Sequence, residues 1–463
     1  MTGWQHFRDD VVDAVNGNMV EHFNRRHWSA QQIHQTQRSA LHALMSYAAE
    51  HSPFHRDRLR HIDLAALDPI DLSDVPVMTK AEMMAALDQV FTDRRLCRRD
   101  IESAVAATHD RPIPILDEFV ALATGGCSGH RGLFVYDRPG IASFMSAVAR
   151  PPVESEPSPT AERPRIATVT APSAVHATGL TIALTTGGRT PVHADPIPAT
   201  LPIDVIVSRL NALQPGELSG YASMLVRLAA EADAGRLRIA PTQVTSTSET
   251  LLPEMRSAVR EAFGVTVFDS FGSTEGLVGK AGPDSDVLVF NTDMCIVELV
   301  DADNRPVPPD APSAKVLVTN LYNFVQPLIR YELTDSFVRQ PDAVEHGYLR
   351  ARVRGRSDDS LHYRDATIHP ISIRSVMVHN PQVVDYQIHQ TDCGIDVLVE
   401  SAGDIDRGGL SDRLRQALSD AGLSRPVVTV HCVDSIERHP VSGKFRRFVP
   451  AAQPYPAVAD SSK

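Results

Sequence analysis

A chain of 463 residues exceeds what one hydrophobic core organises and divides into two or three domains. With 43% apolar and 22% charged residues it has the composition of a globular protein, and a formal net charge of -12 excludes a broad nucleic-acid surface while allowing a local basic groove. Five cysteines without a C-x-x-C pair exclude a disulfide frame or a zinc site, and with no long apolar run the chain is expected to lack a leader and a membrane span and to be cytoplasmic.

In chain order, Ser29 is placed to cap a helix with Gln32 in the capping-box position, and Ile33, Ala40, Leu41, Leu44, Met45 and Ala48 give that helix one apolar face. The stretch HSPFHRDRL at 51–59 carries His51 and His55 without ligand spacing, and both read as surface residues. A polar connector leads to VPVMTK at 75–80 and a second helix from about Ala81. Helical character at 141–148 gives way at 150–163, RPPVESEPSPTAER, to prolines and charges that predict an exposed loop. Apolar runs return at 166–171 and 180–184, while 201–209 reads as strand into helix and 221–234 as helix. Strand 237–244, helix 251–263 and strand 265–268 then alternate, which predicts an α/β core with a mainly parallel sheet. A hairpin pattern over 294–307 adds some antiparallel pairing.

Five stretches carry chemistry. LATGGCSGHRGLFVY at 122–136 interleaves Gly125, Gly126, Gly129 and Gly132 with Thr124, Cys127, Ser128, His130 and Arg131. Backbone N–H groups and hydroxyls in such a loop can meet a phosphate, or the loop is an ordinary glycine-rich turn. It is not the dinucleotide fingerprint and lacks the Gly-Lys-Ser/Thr of the common triphosphatase loop. VTVFDSFGSTEG at 265–276 runs a strand into a turn with Ser273, Thr274 and Glu275. Here Glu275 suits a magnesium-bound triphosphate or a helix cap, and Phe271 suits the face of a base or the core. QPLIRYELTD at 326–335 ends in Asp335, where a carboxylate can accept both hydroxyl hydrogens of a ribose. VRGRSDD at 353–359 is a tight polar break. Finally, RHPVSGKFRR at 438–447 presents Lys444 on a Ser-Gly turn, either within a surface basic cluster or as a cation delivered to an anionic intermediate.

Set side by side, these segments resemble the adenylate-forming (acyl/aryl-CoA synthetase) superfamily, specifically its phenylacetate-coenzyme A ligase-like branch. ATGGCSGHRG is similar to that branch's phosphate loop, FDSFGSTEG to its Tyr-Gly-x-Thr-Glu segment, and PLIRYELTD to Pro-Leu-Ile-Arg-Tyr-x-x-Gly-Asp. GRSDD is similar to its hinge motif and SGKFRR to its terminal lysine segment, while SPFHRDRL and DVPVMTK resemble its N-terminal region. The resemblance spans about residues 45–450 in the expected order. It implies an α/β protein: a large multi-subdomain N-terminal ATP- and acid-binding domain over 1–355, a small mobile α+β lid over 356–450, and a flexible tail over 451–463. Patterns over 371–378, 384–389, 395–399, 410–419 and 427–433 agree with a helix, two strands, a helix and a strand in that lid.

The resemblance also implies roles. Thr124, Ser128 and the backbone of Gly126 and Gly129 would wrap the phosphates of ATP. Phe271, with Gly272, would lie at the adenine, and Ser248 and Glu249 would border it. Ser273 and Thr274 would sit near the substrate carboxylate and α-phosphate, and Glu275 would organise Mg2+. Asp335 and Arg356 would hold the ribose side, Asp358 would be the hinge, and Lys444 would reach the carboxylate and α-phosphate. The implied reaction activates an aryl or small acyl carboxylic acid to an acyl-adenylate with release of pyrophosphate, then transfers it to the thiol of coenzyme A or of a carrier protein. Segments 175–179, with His176, and 268–273 are candidates for the acid pocket. The family often forms homodimers, although no stretch here marks an interface.

Departures qualify the transfer step. Gly125 and Cys127 stand where the branch has hydroxyl residues, and a hydrogen bond to a charged group is worth roughly 1.5 to 3 kcal/mol. Thr334 replaces a glycine before Asp335, and Asp365 in RDATIHP adds bulk and charge where the family glycine lines the thiol tunnel. Adenylation is thus better supported than coenzyme A transfer. Two other readings stay open: an adenylyltransferase with an amine or carrier-protein acceptor, and a non-catalytic nucleotide-binding or interaction protein.

Overall fold

The computed structural model describes residues 3–124, 132–153, 165–186, 193–356, 359–364, 366–368, 370–377, 379–380, 382–401, 403–438 and 443–451. The chain forms two compact units, one of Met1–Arg354 with Val441–Gly443 and one of Gly355–Pro440 with Lys444–Lys463. At the change of unit Gly355 has φ of +126°, a conformation that side-chain-bearing residues rarely adopt.

The larger unit is built on a nine-stranded sheet. Its spatial order is Asp335–Arg339, Arg350–Arg356, Leu288–Phe290, Val278–Ala281, Val267–Gly272, Gln243–Thr247, Glu217–Gly220, Arg165–Thr170 and His193–Pro198. The last five are parallel, and pairing turns antiparallel from Val267–Gly272 to Val278–Ala281 and on to Leu288–Phe290. Helices Ile203–Leu213, Ala222–Asp233 and Pro253–Phe263 supply the crossovers, burying Ile206, Leu210, Leu225, Leu228 and Val259 against Val169, Leu218, Val244 and Val267. Full burial of one such side chain is worth about 1.5–3 kcal/mol. The sequence delimits the third of these helices well: Pro253 starts it, and Gly264, with φ of +66°, ends it.

The smaller unit has a four-stranded sheet in the order Val427–Cys432, Gly394–Ser401, Val383–Thr391, Phe448–Val449. Helix Arg407–Asp420, capped by the Asp406 carboxylate on the Gly409 N–H at 2.9 Å, presents Leu410, Leu414 and Leu418 to Ile388, Ile395 and Val397. The fold class is therefore the expected one, a large mixed α/β region followed by a smaller α+β region. Among the described residues no helix is long and apolar enough to cross a membrane.

Several local expectations are corrected. The strand expected at the start of 201–209 does not form: Leu201 belongs to a turn between the strand ending at Pro198 and the helix starting at Ile203, while the apolar run 180–184 lies inside helix Ala177–Thr185. The strand expected from Leu237 starts only at Gln243, because Pro241 has no N–H and the Arg238 N–H is taken by the Asn211 side chain at 2.7 Å. Helix Gly3–Arg25 escaped the sequence reading, since its buried Trp4, Phe7, Val11 and Val12 occupy only the first half. Arg150 is not in an exposed loop: it is buried and grips Asp293 with two bonds of 2.9 and 2.8 Å.

His55 is the sharpest correction, a fully buried residue and not a surface one. Its Nε2–H meets the Pro327 carbonyl at 2.9 Å and its Nδ1 accepts from Arg58 at 3.1 Å, an arrangement that requires the neutral ring. Burial, reinforced by the Arg58 cation, pushes its pKa down to about 3, and burial beside Arg150 takes His22 to about 4. Both values lie below the unfolded 6.5, so the unfolded chain takes up protons first and stability falls as pH drops from about 6.5 toward 4. From His55 alone the loss at pH 5 is on the order of 2 kcal/mol. Denaturant unfolding between pH 7 and 5 should show this loss, and His55→Gln, which keeps a donor for Pro327, should flatten the slope; an unchanged slope would contradict the neutral buried ring.

Candidate active site

The parallel strands Glu217–Gly220, Gln243–Thr247 and Val267–Gly272 run in register, Gly220 beside Ser246 and Thr247 beside Ser270. Tyr221, Ser248 and Ser273 therefore leave the sheet at one carboxyl edge, where ligands bind in open α/β sheets. This edge is also where the sheet changes from parallel to antiparallel.

The turn Ser273–Thr274–Glu275–Gly276 is fixed there by its backbone. Ser273 N–H donates to the Leu277 carbonyl at 2.9 Å, Gly276 N–H to the Ser273 carbonyl at 3.0 Å, and Leu277 N–H to Ser273 Oγ at 3.3 Å. Three successive carbonyls then accept side-chain donors from other elements. The Tyr136 hydroxyl reaches Thr274 O at 2.7 Å, Asn320 Nδ2 reaches Glu275 O at 2.9 Å, and the Tyr322 hydroxyl reaches Gly276 O at 2.8 Å. Burial and the Glu275 charge raise the Tyr136 phenol well above its usual range, so it remains a donor. Gly276 has φ of +102°, and a Cβ there would lie 2.3 Å from both Asn320 Nδ2 and Tyr322 Oη. Glycine is thus required twice over, by backbone and by space.

The base of the glycine-rich loop is closed by Thr124. Its N–H donates to Gly132 O at 3.0 Å and its Oγ1 accepts from Gly132 N–H at 2.8 Å, continuing the antiparallel pair Phe119–Ala123 and Leu133–Asp137. Gly126, Ser128 and Gly129, with Gly125 and Cys127, lie outside the described residues. His176, buried, braces the same base through Nδ1 and the Ala123 carbonyl at 3.1 Å. The strand leaving the loop is stitched to the start of the PLIRYELTD segment. Gln326 accepts from Val135 N–H at 2.7 Å and donates to Leu133 O at 3.0 Å, and Asn323 donates to Val135 O at 3.0 Å.

Other expected residues fall as follows. Phe271 is half-buried and meets Phe290 and Phe337 edge-on at 5.7 and 5.4 Å, so part of its ring serves the core. Asp335 is buried at the start of a strand whose residue Phe337, two positions on, shares its face and touches Phe271; this brings Asp335 to the same neighbourhood. Thr334 is not among the residues of positive φ, so its lack of glycine freedom costs nothing. Glu275 is buried, Ser273 and Thr274 are half-buried, and Gly272 is exposed. Ser248 has φ of +64°, and Glu249 accepts from Ser223 N–H and Oγ at 3.0 and 2.6 Å, capping the helix that begins at Ala222. Arg356, exposed, and Lys444, half-buried, belong to the smaller unit. Asp358 and Asp365 lie outside the described residues. Among the described residues no three His, Cys, Asp or Glu side chains group as a metal cage.

Sequence reading missed the supporting polar residues Asn320, Tyr322 and Asn323. Their signal was present: asparagines inside the otherwise apolar NLYNFVQ, where a buried amide must find partners.

This geometry has counterparts. No family model matches the chain. In sequence, 142 residues, 30% of this chain, are 25% identical to phenylacetate-coenzyme A ligase of Aromatoleum evansii and cover 32% of it. A longer segment of 223 residues, 46% of this chain, is 25% identical to protein CapK of Staphylococcus aureus and covers 48% of that protein. The matches thus span about a third to a half of the length of these curated relatives. In structure, 2-hydroxyisobutyryl-CoA ligase in its postadenylation state, bound to 2-HIB-AMP, superposes with a TM-score of 0.68 at 20% identity, over 93% of this chain and 92% of that one. A benzoate CoA ligase from Burkholderia xenovorans LB400 gives 0.52 at 20% identity over 72% and 68%. The chain has the fold of the adenylate-forming acyl- and aryl-CoA ligases. Nearly its whole length follows the 2-hydroxyisobutyryl-CoA ligase path.

A substitution tests the turn. Gly276→Ala should cost about 2–4 kcal/mol by chemical denaturation, from backbone strain plus displacement of Asn320 and Tyr322. Gly264→Ala, where a Cβ meets nothing within 4 Å, should cost only about 1 kcal/mol; equal costs would mean that the turn is not held as described.

Proposed function

We propose that the protein is an ATP-dependent, AMP-forming carboxylate ligase acting on an aryl or small acyl acid. A carboxylate oxygen attacks the α-phosphorus of ATP, the bond from that phosphorus to the bridging oxygen of pyrophosphate breaks, and pyrophosphate leaves with the electron pair. The thiol of coenzyme A then attacks the carbonyl carbon, AMP departs, and the thiol proton passes to solvent. One observation carries this reading: the strand after the glycine-rich loop is fastened at once to the Glu275 turn, through Tyr136, and to the PLIRYELTD segment, through Gln326. Segments far apart in sequence, each resembling a nucleotide-binding motif or adjoining one, are thereby joined by direct hydrogen bonds.

In this reading Thr124, Ser128 and the backbone of Gly126 and Gly129 hold phosphates, while Phe271, Gly272, Ser248 and Glu249 form the adenine side. Thr124 and Glu249 do so with side chains already engaged, so Thr124 shapes the loop and Glu249 positions the neighbouring helix. Asp335 and Arg356 take the ribose hydroxyls, and Ser273 and Thr274 border the acid and α-phosphate. A buried carboxylate such as Glu275 suits magnesium, an ion bound through one or two carboxylates plus substrate phosphates, where it would offset phosphate charge. Lys444, on the unit that follows the Asp358 hinge, neutralises charge growing on the transferring phosphoryl oxygens. An amine or a carrier-protein thiol is the second reading for the acceptor, favoured by Asp365 at the position resembling the thiol tunnel.

Pyrophosphate release should be measured with magnesium-ATP over a panel of aryl and short aliphatic acids, with and without coenzyme A, and with mass detection of adenylate and thioester. Acid-dependent release is expected, reduced about 100- to 1000-fold in Lys444→Ala with an unchanged circular dichroism spectrum. Adenylate without thioester would move the acceptor to an amine or carrier. Failure of every acid to release pyrophosphate would remove the ligase reading.

A further inference from the structure

Tyr331, in PLIRYELTD, is wholly buried, yet its hydroxyl makes no hydrogen bond. A buried tyrosine hydroxyl usually finds a partner, and leaving one without costs stability. Tyr136 and Tyr322 show the ordinary case, each donating to a carbonyl of the Glu275 turn.

The surroundings of Tyr331, all within the larger unit, place it against that turn. Tyr331 pairs with Val318, so both side chains leave one face of the small sheet Cys295–Val300, Lys315–Asn320 and Tyr331–Leu333. Asn320, two residues beyond Val318, shares the face, and from it the amide donates to the Glu275 carbonyl at 2.9 Å. On its other side the Tyr331 ring meets Phe134 edge-on, with centroids 6.0 Å apart. Phe134 stands two residues before Tyr136 on the strand after the glycine-rich loop, and both pack in the same core as Tyr331. Tyr331 is therefore flanked by two strands that each carry a donor to the turn about 7 Å further along. Phe134 also touches the base of the glycine-rich loop, where a Cβ on Gly132 would lie 2.9 Å from its ring. Burial first, then the charges of Glu275 and Glu332, holds the Tyr331 phenol far above its usual pKa, so it stays protonated and can only gain by donating.

A carboxylate that binds a metal ion is oriented by the hydrogen bonds made to it from behind, and magnesium retains waters that make bonds of their own. We propose that Tyr331 is a positioning residue for the metal site: its phenol O–H donates to the Glu275 carboxylate, directly or through one water, when a magnesium-nucleotide is bound, and so keeps that carboxylate turned to the ion. In the free protein the hydroxyl is held ready without a partner, a cost in stability that the bound state recovers. The inference rests on the proposed function for the nucleotide and its metal, and on no step of turnover.

Tyr331→Phe keeps the ring and removes the hydroxyl. Calorimetry of the full-length protein with α,β-methylene-ATP, once with saturating Mn2+ and once in EDTA, separates the metal from the nucleotide. The variant should bind the Mn2+ form roughly 10- to 100-fold more weakly than the wild type and the metal-free form equally well. Equal affinities of the two proteins with Mn2+ overturn the proposal, as do equal losses with and without the metal, which would mean a packing role. Without ligand, the variant should unfold at the same denaturant concentration as the wild type or a higher one; a lower midpoint means that the hydroxyl already has a partner in the free protein and overturns the proposal too. A wild type that binds the nucleotide under neither condition removes the proposed function along with this inference, whereas binding that is indifferent to Tyr331→Phe removes the inference alone.

Discussion

Everything at the candidate site depends on three consecutive carbonyls that cannot move. Thr274, Glu275 and Gly276 each give their oxygen to a different side chain, from Tyr136, Asn320 and Tyr322. A backbone held at three successive carbonyls fixes the direction in which the Cα–Cβ bond of Glu275 leaves the turn. Tyr136 and Asn320 are buried and Tyr322 is half-buried, and leaving one buried carbonyl unmatched would cost about 1–3 kcal/mol. Asn320 shows how closed the arrangement is: while its amide donates to Glu275, its Oδ1 accepts from the N–H groups of Tyr322 and Asn323, both at 3.0 Å.

The same logic ties the N-terminal region to the site. Arg330, within PLIRYELTD, is 4% exposed and bonds Glu298 on one side and the Val75 carbonyl at 2.6 Å on the other. Met78 N–H meets the Arg330 carbonyl at 2.9 Å and Glu332 N–H returns to Met78 O at 3.0 Å. His55 completes the seam on Pro327. The stretches HSPFHRDRL and VPVMTK thus act as a strap that holds the PLIRYELTD strand in place. A buried arginine is suited to this, since its planar fork serves a carboxylate and a carbonyl in one fixed geometry.

Legibility in the sequence followed the range of the interaction. Local signals were read correctly: the Ser29–Gln32 capping box forms, the helix expected from about Ala81 starts at Lys80, and the α/β alternation gives the parallel strands. Motif order singled out Thr274, Glu275 and Asp335, but not the side chains that join their segments to the strand after the glycine-rich loop, Tyr136, Asn323 and Gln326. These side chains bond backbone groups well over a hundred residues away, and no periodicity or spacing encodes such a partner. His55 and Arg150 failed for the same reason. Each looks like a surface residue among polar neighbours until a distant acceptor, the Pro327 carbonyl or Asp293, takes it inside.

Arg150 also shows why net charge is a poor guide to local chemistry. The chain carries -12 overall, yet Arg25 and Arg150 converge on one enclosed carboxylate, Asp293, and Lys280 lines the same cavity as Arg150. Distant surface carboxylates do little for these cations, because solvent screens exposed charges within about 8–10 Å while the interior does not screen the cations from one another. The mutual repulsion is visible in Lys280, whose ammonium is weakened by burial and by Arg150 together. Lys280 sits one strand away from Phe271, and Asn291 lines the same cavity while its amide reaches the Gly276 carbonyl at 3.5 Å, so these cations belong to the polar network that backs the Glu275 turn.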